Sequence, residues 1–311
     1  MNRCLNLPAS PDLPLLHDAV ERRLLPSPLV ETHAVHCTDG RVLDARVFRP
    51  LGSLHGAVLI GGATGVPQRF YGPYARWLAA QGLLTLTFDY RGIRGSRITP
   101  LRDDPARMRD WGSHDLPAAL DHLHQLAPTL PIGYIGHSVG GQMLGLMPNH
   151  ALIHRAVMLA SGFGYWGNMA PLYGTMVRAL VGGLGPMLYR RLGYAPNARI
   201  GWGEDLPRGV AADWFSWCQR PDYFAELLRE QGRERFDDVH QPILSLGFRD
   251  DPIATERNID AQLQLYTAAD VTRRILHPRE VGLRRIGHLH FFSPQMPERL
   301  WRLPLSFLLE S

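Results

Sequence analysis

The apolar positions of this chain fall into short continuous runs that alternate with segments of helical spacing. Runs with the length of buried strands lie at 57–60, 83–89, 131–135, 156–160, 242–248 and 272–277. Segments with apolar residues at helical spacing lie at 71–81, 114–124 and 297–309. This alternation predicts an α/β fold, with a mostly parallel central sheet flanked by helices.

The chain begins differently. Residues 1–30 form a proline-punctuated lead-in, with one short helix predicted over 15–25. Two β-favouring runs follow at 31–37 and 41–48, joined by the Asp-Gly pair at 39–40. Because Asp-Gly between such runs is a hairpin signal, we expect two antiparallel edge strands here.

The alternation stops between about residues 166 and 235. This stretch is rich in Gly, Pro, Met and aromatic residues, and it holds four of the seven tryptophans. It is too long for a loop inside a compact domain. We therefore predict an inserted, mainly helical cap that divides a core of residues 31–165 and 236–311. A cap this apolar would form one wall of an apolar pocket. The alternative is that its aromatic residues only pack the cap onto the core.

Composition excludes several kinds of chemistry. All 33 residues of the combined Lys and Arg count are arginine, so the chain has no Schiff-base lysine and no Walker-A lysine. The net charge of +4 comes from scattered arginine pairs that are interleaved with acidic residues. This pattern indicates a solvated basic surface rather than a nucleic-acid partner.

The cysteine content and the lengths of the apolar runs indicate the cellular compartment. Cys4, Cys37 and Cys218 are too few and too far apart for a disulfide framework or a Cys-based zinc site. Residues 1–16 lack the continuous apolar core of a signal peptide, and no apolar run is long enough to span a bilayer. We expect a cytoplasmic protein with no membrane partner and no cofactor.

The candidate nucleophile lies in the stretch 136–140, which reads Gly-His-Ser-Val-Gly between a predicted strand and a predicted helix. In this context G-x-S-x-G predicts a nucleophile elbow, a strained turn that holds Ser138 above the carboxyl end of a strand. Strand and helix pass so closely there that side chains at positions 136 and 140 would clash, which explains the two glycines.

A glycine-rich loop at 61–65 follows the strand 57–60. Backbone N–H groups converge on an oxygen only where no side chains intervene, so this loop is a candidate oxyanion hole. We predict the N–H of Ala63, with Thr64 as its neighbour, and the N–H of Val139 as the two donors. The alternative, a phosphate-binding loop, is disfavoured because apolar Val66 and a proline follow where a dinucleotide motif would open a helix.

The loop at 89–96 contains Asp89 and Arg91, which could be mistaken for catalytic groups. Turn residues dominate this loop. We predict that the two side chains pair with each other and cap turns within the loop.

Two aspartates compete for the role of the catalytic acid. Asp250 and Asp251 follow the strand 242–248, where a carboxylate can accept a hydrogen bond from the catalytic imidazole. Successive residues point in different directions, so only one should face the histidine, and we favour Asp251 over Asp250.

For the base we favour His288, next to a glycine, over the alternative His290. The resulting order of nucleophile, acid and base, Ser138, Asp251 and His288, is the order of an α/β-hydrolase. A metal site built on the two histidines is disfavoured, because no carboxylate or cysteine lies at ligand spacing nearby.

With these motifs in place, the chain resembles the α/β-hydrolase superfamily over about residues 30–165 and 236–311. Within it, the chain looks most like a bacterial group of serine hydrolases related to the serine aminopeptidase-like and monoglyceride-lipase-like branch. The resemblance rests on the segments Ala-Thr-Gly-Val-Pro-Gln-Arg-Phe-Tyr at 63–71, Asp-Tyr-Arg-Gly at 89–92, the Asp pair and Gly287-His288. The chain departs from the pattern at Gly61, where many relatives have a histidine that anchors the loop.

The resemblance implies a serine hydrolase that cleaves a carboxylic ester or thioester of a small apolar acyl substrate through an acyl-enzyme on Ser138. Acyl transfer to another acceptor, amide cleavage and C–C cleavage could use the same triad. A non-catalytic binding protein on a hydrolase fold is the alternative of another class. Dehalogenase and epoxide-hydrolase chemistry is excluded, because it requires a carboxylate at the elbow.

Overall fold

The computed structural model describes residues 27–231 and 234–310. The helix predicted over 15–25, most of the lead-in and Cys4 lie outside the described residues.

Within these residues, one eight-stranded sheet forms the centre of the molecule, with strand order β1-β2-β4-β3-β5-β6-β9-β10. β2 is antiparallel to both of its neighbours, and the other neighbouring pairs are parallel. The strands are β1 (Leu29–His36), β2 (Val42–Arg49), β3 (Gly56–Gly61), β4 (Leu83–Phe88), β5 (Ile132–His137), β6 (Ile153–Leu159), β7 (Tyr194–Ala195), β8 (Leu206–Pro207), β9 (Ile243–Phe248) and β10 (Val271–Leu276). β7 and β8 pair separately as a small antiparallel ribbon.

Helices cover both faces of the sheet. The α-helices are α1 (Gly72–Ala80), α2 (Leu116–Leu126), α3 (Val139–Gln142), α4 (Pro171–Ala179), α5 (Gly185–Leu192), α6 (Arg208–Cys218), α7 (Ala225–Gln231), α8 (Glu234–Asp237), α9 (Glu256–Leu263) and α10 (Glu298–Leu308), and a single helical turn Met108–Asp110 precedes α2. Short 3-10 turns lie at Gln68–Tyr71, Arg94–Ser96, Leu144–Leu146, His150–Leu152, Trp166–Asn168, Asn197–Ile200, Pro278–Val281 and His290–Phe292, and π turns at Trp111–Asp115 and Leu180–Leu184.

Strands β3, β4, β5 and β9 are buried at every residue, as expected of parallel strands covered on both faces. Along β3, Ala57 and Leu59 pack into one apolar cluster, while Val58 and Ile60 pack into the other. This period-two alternation gives the sheet a core on each side. The carboxyl ends of the parallel strands meet at one edge, where the candidate site residues follow them.

The sequence-based elements agree closely with the structure. Each predicted buried strand is confirmed to within three residues at either end, and the three predicted core helices to within two. The hairpin of β1 and β2 is confirmed as an antiparallel pair. The prediction of two edge strands is wrong for β2, because its second side pairs with β4.

The predicted pairing of Asp89 with Arg91 is also wrong. Asp89 instead accepts hydrogen bonds from the backbone N–H groups of Gln68 (2.6 Å) and Gly95 (3.2 Å). The Arg91 guanidinium is bound by Asp115 at 2.6 Å and Asp39 at 2.7 Å. Arg91 thereby ties the loop after β4 to the segment that enters α2.

The segment 166–235 lies between β6 and β9. Its described residues form α4 to α7, the start of α8 and the ribbon β7-β8. Nowhere in 27–231 or 234–310 is a helix both long and apolar enough to cross a membrane.

Candidate active site

Ser138 lies on a strained turn between β5 and α3. Its backbone has φ 53° and ψ −116°, outside the ordinary regions for a non-glycine residue. The turn is possible because both flanking glycines leave room. A Cβ on Gly136 would lie 2.5 Å from the backbone of Gly141, and one on Gly140 would clash with the Gly61 carbonyl oxygen. The elbow therefore packs directly against the glycine-rich loop after β3.

The structure brings the predicted serine, histidine and aspartate together. His288 Nε2 lies 2.9 Å from Ser138 Oγ. His288 Nδ1 lies 2.7 Å from Asp251 Oδ2. With the Nδ1 proton donated to the carboxylate, Nε2 is left as an acceptor for the serine hydroxyl proton.

The two aspartates have different partners. The carboxylate of Asp251 faces His288, and its second oxygen accepts from the N–H groups of Ile253 (2.8 Å) and Ala254 (3.0 Å). Asp250 Oδ2 instead accepts from the N–H groups at 286 and 287, at 2.9 and 3.0 Å, so it holds the loop that carries the histidine. His290, the alternative base, is exposed.

The surroundings of Asp251 favour the ionised form of its carboxyl group. Burial raises its pKa, but the charge and hydrogen bond of His288 and the two backbone donors outweigh burial and hold the pKa below the ordinary value. The carboxylate can therefore orient the imidazole and stabilise an imidazolium across the neutral pH range.

The predicted oxyanion donor Ala63 needs correction. Its N–H donates to the Tyr71 hydroxyl at 2.7 Å, so in this geometry it is not available to a substrate. Val139 is the first residue of α3, and its N–H has no intrahelical acceptor. The N–H of Thr64, the neighbour named from the sequence, has no acceptor among the described residues. Ala63, Thr64 and Ser138 all line the same cavity.

Sequence reasoning missed a buried relay behind the site. The Tyr71 hydroxyl, which accepts from Ala63, lies 3.0 Å from His137 Nδ1. His137 Nε2 in turn lies 2.8 Å from the His288 carbonyl oxygen and donates to it. This relay connects the glycine-rich loop to the backbone of His288. Its sequence signal was a histidine beside the nucleophile and a tyrosine eight residues after Ala63.

A second tyrosine replaces the missing loop anchor at Gly61. The Tyr134 hydroxyl donates to the Gly140 carbonyl at 2.6 Å. It occupies the space in front of Gly61, where any side chain would clash with it. In this chain a tyrosine on β5, rather than a histidine in the loop, thus fills the gap between loop and elbow.

His137 is expected to make stability depend on pH. Burial, with the neighbouring His288 charge, lowers its pKa to about 3 in the folded protein, against about 6.5 in an unfolded chain. Below pH 6.5 the unfolded state binds a proton that the folded state does not, so this stability is present above pH 6.5 and is lost as the pH falls toward 3. At pH 5 the loss should be about 2 kcal/mol.

Urea unfolding at pH 7 and pH 5 measures this effect. His137→Gln should be less stable than wild type at pH 7, because it disturbs the relay, yet lose less stability between the two pH values. His290→Gln, which removes an exposed histidine, should keep the wild-type difference. An undiminished pH difference in His137→Gln would show that His137 does not stay neutral in the fold.

A cavity of about 290 Å³ opens over Ser138. More than half of its lining comes from the segment 166–235, including Met169, Val177, Val181, Trp202, Trp214 and Tyr223. Cys218 also lines the cavity, but burial raises the pKa of its thiol to about 12, so it is not a thiolate nucleophile. Ser138 and His288 are thus placed at the end of a mostly apolar pocket.

No cluster of three or more His, Cys, Asp or Glu side chains suited to a metal ion occurs among residues 27–231 and 234–310.

Comparison with known proteins supports the fold. No curated protein matches this sequence. Among solved structures, the chain is similar to an esterase from Exiguobacterium antarcticum, at 14% identity and TM-score 0.58, over 90% of this chain and 100% of the other. It is similar to a carboxyl esterase from Bacillus coagulans, at 13% identity and TM-score 0.60, over 90% and 99% of the two chains.

A Pyrococcus horikoshii acylaminoacyl peptidase is similar at 14% identity and TM-score 0.56, over 93% of this chain and 43% of that one. At such identities the likeness is one of fold. The model of the alpha/beta hydrolase family matches residues 54–302, which is most of the sequence. The chain therefore belongs to the alpha/beta hydrolase family.

Proposed function

We propose that this protein is a serine hydrolase that cleaves a carboxylic ester or thioester of a small apolar acyl substrate. The observation that carries the proposal is the contact of His288 with both Ser138 (2.9 Å) and Asp251 (2.7 Å) at the end of an apolar cavity. Family membership and esterases of the same fold support a hydrolase.

The reaction follows from the hydrogen bonds of the imidazole. His288 Nε2 takes the proton of Ser138 Oγ as the oxygen attacks the substrate carbonyl carbon. The imidazolium then gives that proton to the leaving alcohol or thiol, and the acyl group remains on Ser138. Water, deprotonated by the same nitrogen, then attacks the acyl-enzyme; the bond to Ser138 Oγ breaks, the imidazolium returns its proton to that oxygen, and the acid is released.

The negative charge that develops on the carbonyl oxygen requires backbone donors. We assign this role to the N–H groups of Val139 and Thr64. Val139 follows the nucleophile directly, and its N–H lies in the first turn of α3, where it has no intrahelical acceptor. The Ala63 N–H serves instead to bind Tyr71 and so to fix the loop.

The segment 166–235 serves as the cap in this proposal. It supplies the apolar side of the cavity, through residues such as Val177, Val181 and Trp214. A wall of this kind binds an acyl chain by excluding water from it. The volume of about 290 Å³ favours short or medium chains over long ones.

Hydrolysis of a p-nitrophenyl ester series, from acetate to long acyl chains, tests the proposal. We expect turnover with a maximum at short or medium chain length, and Val181→Trp should shift the maximum toward acetate, because it fills the cavity from the cap. Thr175→Trp, a change at an exposed cap position, is the matched control. If no ester is turned over and a fluorophosphonate leaves Ser138 unlabelled, the hydrolase proposal fails.

A further inference from the structure

Segment 166–235 presents a stripe of large apolar side chains to solvent. α4, the π turn and α5 follow one another without a break from residue 171 to 192. Along this helical stretch Leu172 is 88% exposed, Met176 47%, Leu184 50% and Met187 50%. Such exposed apolar side chains, repeating at helical spacing, mark an interaction surface.

The opposite side of the same stretch faces the protein interior. Gly174, Val177, Val181 and Tyr189 are buried, and Val177 and Val181 line the cavity over Ser138. The helical stretch therefore separates the catalytic cavity from the exposed apolar stripe.

The charged side chains of the helical stretch 171–192 have one sign. No Asp or Glu occurs between Asp121 and Glu204, whereas arginines stand at 178, 190, 191 and 199. All four arginines are exposed. Within the described parts of the chain, Arg190, Arg191 and Arg199 form no ion pair. Arg178 lies over the Trp166 ring.

We propose that this stripe docks on the surface of a lipid bilayer that contains anionic headgroups. The leucine and methionine side chains would insert at the boundary of headgroups and acyl chains, and the arginines would bind headgroup phosphates. The docking is peripheral, and it revises the expectation from sequence that the protein has no membrane partner.

The charge also argues against a second copy of the chain as the occupant. Two copies that paired through this stripe would bring the arginines of one helical stretch toward those of the other, and residues 171–192 contain no acidic residue to compensate. An anionic bilayer offers both the apolar phase and the opposite charge. Bilayer docking would place the cap, and the cavity beneath it, where small apolar substrates partition.

Co-sedimentation of the full chain with vesicles tests the inference. One set of vesicles is phosphatidylcholine alone, and the other is phosphatidylcholine mixed with phosphatidylglycerol. We expect at least tenfold tighter binding to the mixed vesicles, about 30-fold weaker binding for Arg190→Gln with Arg191→Gln, and at least about tenfold weaker binding for Leu172→Ser with Met187→Ser.

The matched control replaces two exposed apolar residues outside the segment, Leu51 (65%) and Ile98 (61%), by serine, and it should bind as wild type does. Absence of wild-type binding to mixed vesicles, or loss of binding in the control alone, would overturn the inference. So would a dimer in size-exclusion chromatography that dissociates in Leu172→Ser with Met187→Ser. Binding is measured without catalysis, so its outcome is independent of whether Ser138 hydrolyses an ester.

Discussion

Replacing Ser138 by alanine is expected to lower kcat/KM for p-nitrophenyl esters by a factor of about 10⁵ to 10⁶. In the proposed mechanism the serine oxygen forms the covalent bond, so its loss removes the acyl-enzyme route altogether. The Cys218 thiol in the same cavity cannot replace it as a thiolate, because burial raises the pKa of that thiol to about 12. The residual rate would come from the backbone donors and from binding alone.

Initial rates of the purified variant and wild type, on the ester that wild type prefers, measure this loss. Ser113→Ala is the matched control, because its hydroxyl bonds the Arg109 carbonyl and does not line the cavity. Mass spectrometry after fluorophosphonate treatment should show one adduct on wild type and on the control, and none on Ser138→Ala. Retention of a tenth of wild-type activity by Ser138→Ala would place the nucleophile elsewhere.

The parts of the fold that could be predicted from the sequence are those determined by residues close together in the chain. Buried strands such as β3 and β5 are short unbroken apolar runs, and that signal needs no knowledge of their neighbours. The elbow is local as well, since Gly136 and Gly140 stand where a Cβ would collide with backbone. The order of the strands along the chain then predicted which strand ends lie close together.

Contacts between distant residues were not predictable in the same way. Tyr71 and His137 are 66 residues apart, and no local pattern indicates their contact, yet they join the glycine-rich loop to the loop of His288. The Ala63 N–H donates to this tyrosine, a partner that the glycine-rich loop alone does not indicate. Arg91 likewise pairs with Asp115 rather than with the nearby Asp89, because the folded chain places Asp115 beside its guanidinium.

The exposed stripe of segment 166–235 illustrates a further limit. Leu172 and Met176 are apolar residues at helical spacing, and such residues ordinarily face inward. The structure shows that the helical stretch has two apolar sides, one lining the cavity and one facing solvent. Only the packing of α4 and α5 in the folded protein determines which of the two sides is buried and which is exposed.

The adjacent aspartates provide the second large prediction. Asp251→Asn is expected to lower kcat/KM by a factor of about 10⁴, whereas Asp250→Asn should lower it less than about tenfold. An asparagine at 251 can donate its amide N–H to His288 Nδ1, which moves the imidazole proton to Nε2. That nitrogen can then no longer accept the Ser138 proton.

At position 250 the same substitution keeps the hydrogen-bond acceptor that holds the loop of His288. Asp250 Oδ2 accepts from the N–H groups of Ile286 and Gly287, and an amide oxygen can accept from both. Asp250→Ala, which removes the acceptor, should destabilise the loop and reduce activity further than Asp250→Asn. A severe loss in Asp250→Asn with near-normal activity in Asp251→Asn would exchange the two roles. The two isosteric variants therefore separate a carboxylate that orients the base from one that holds the base's loop.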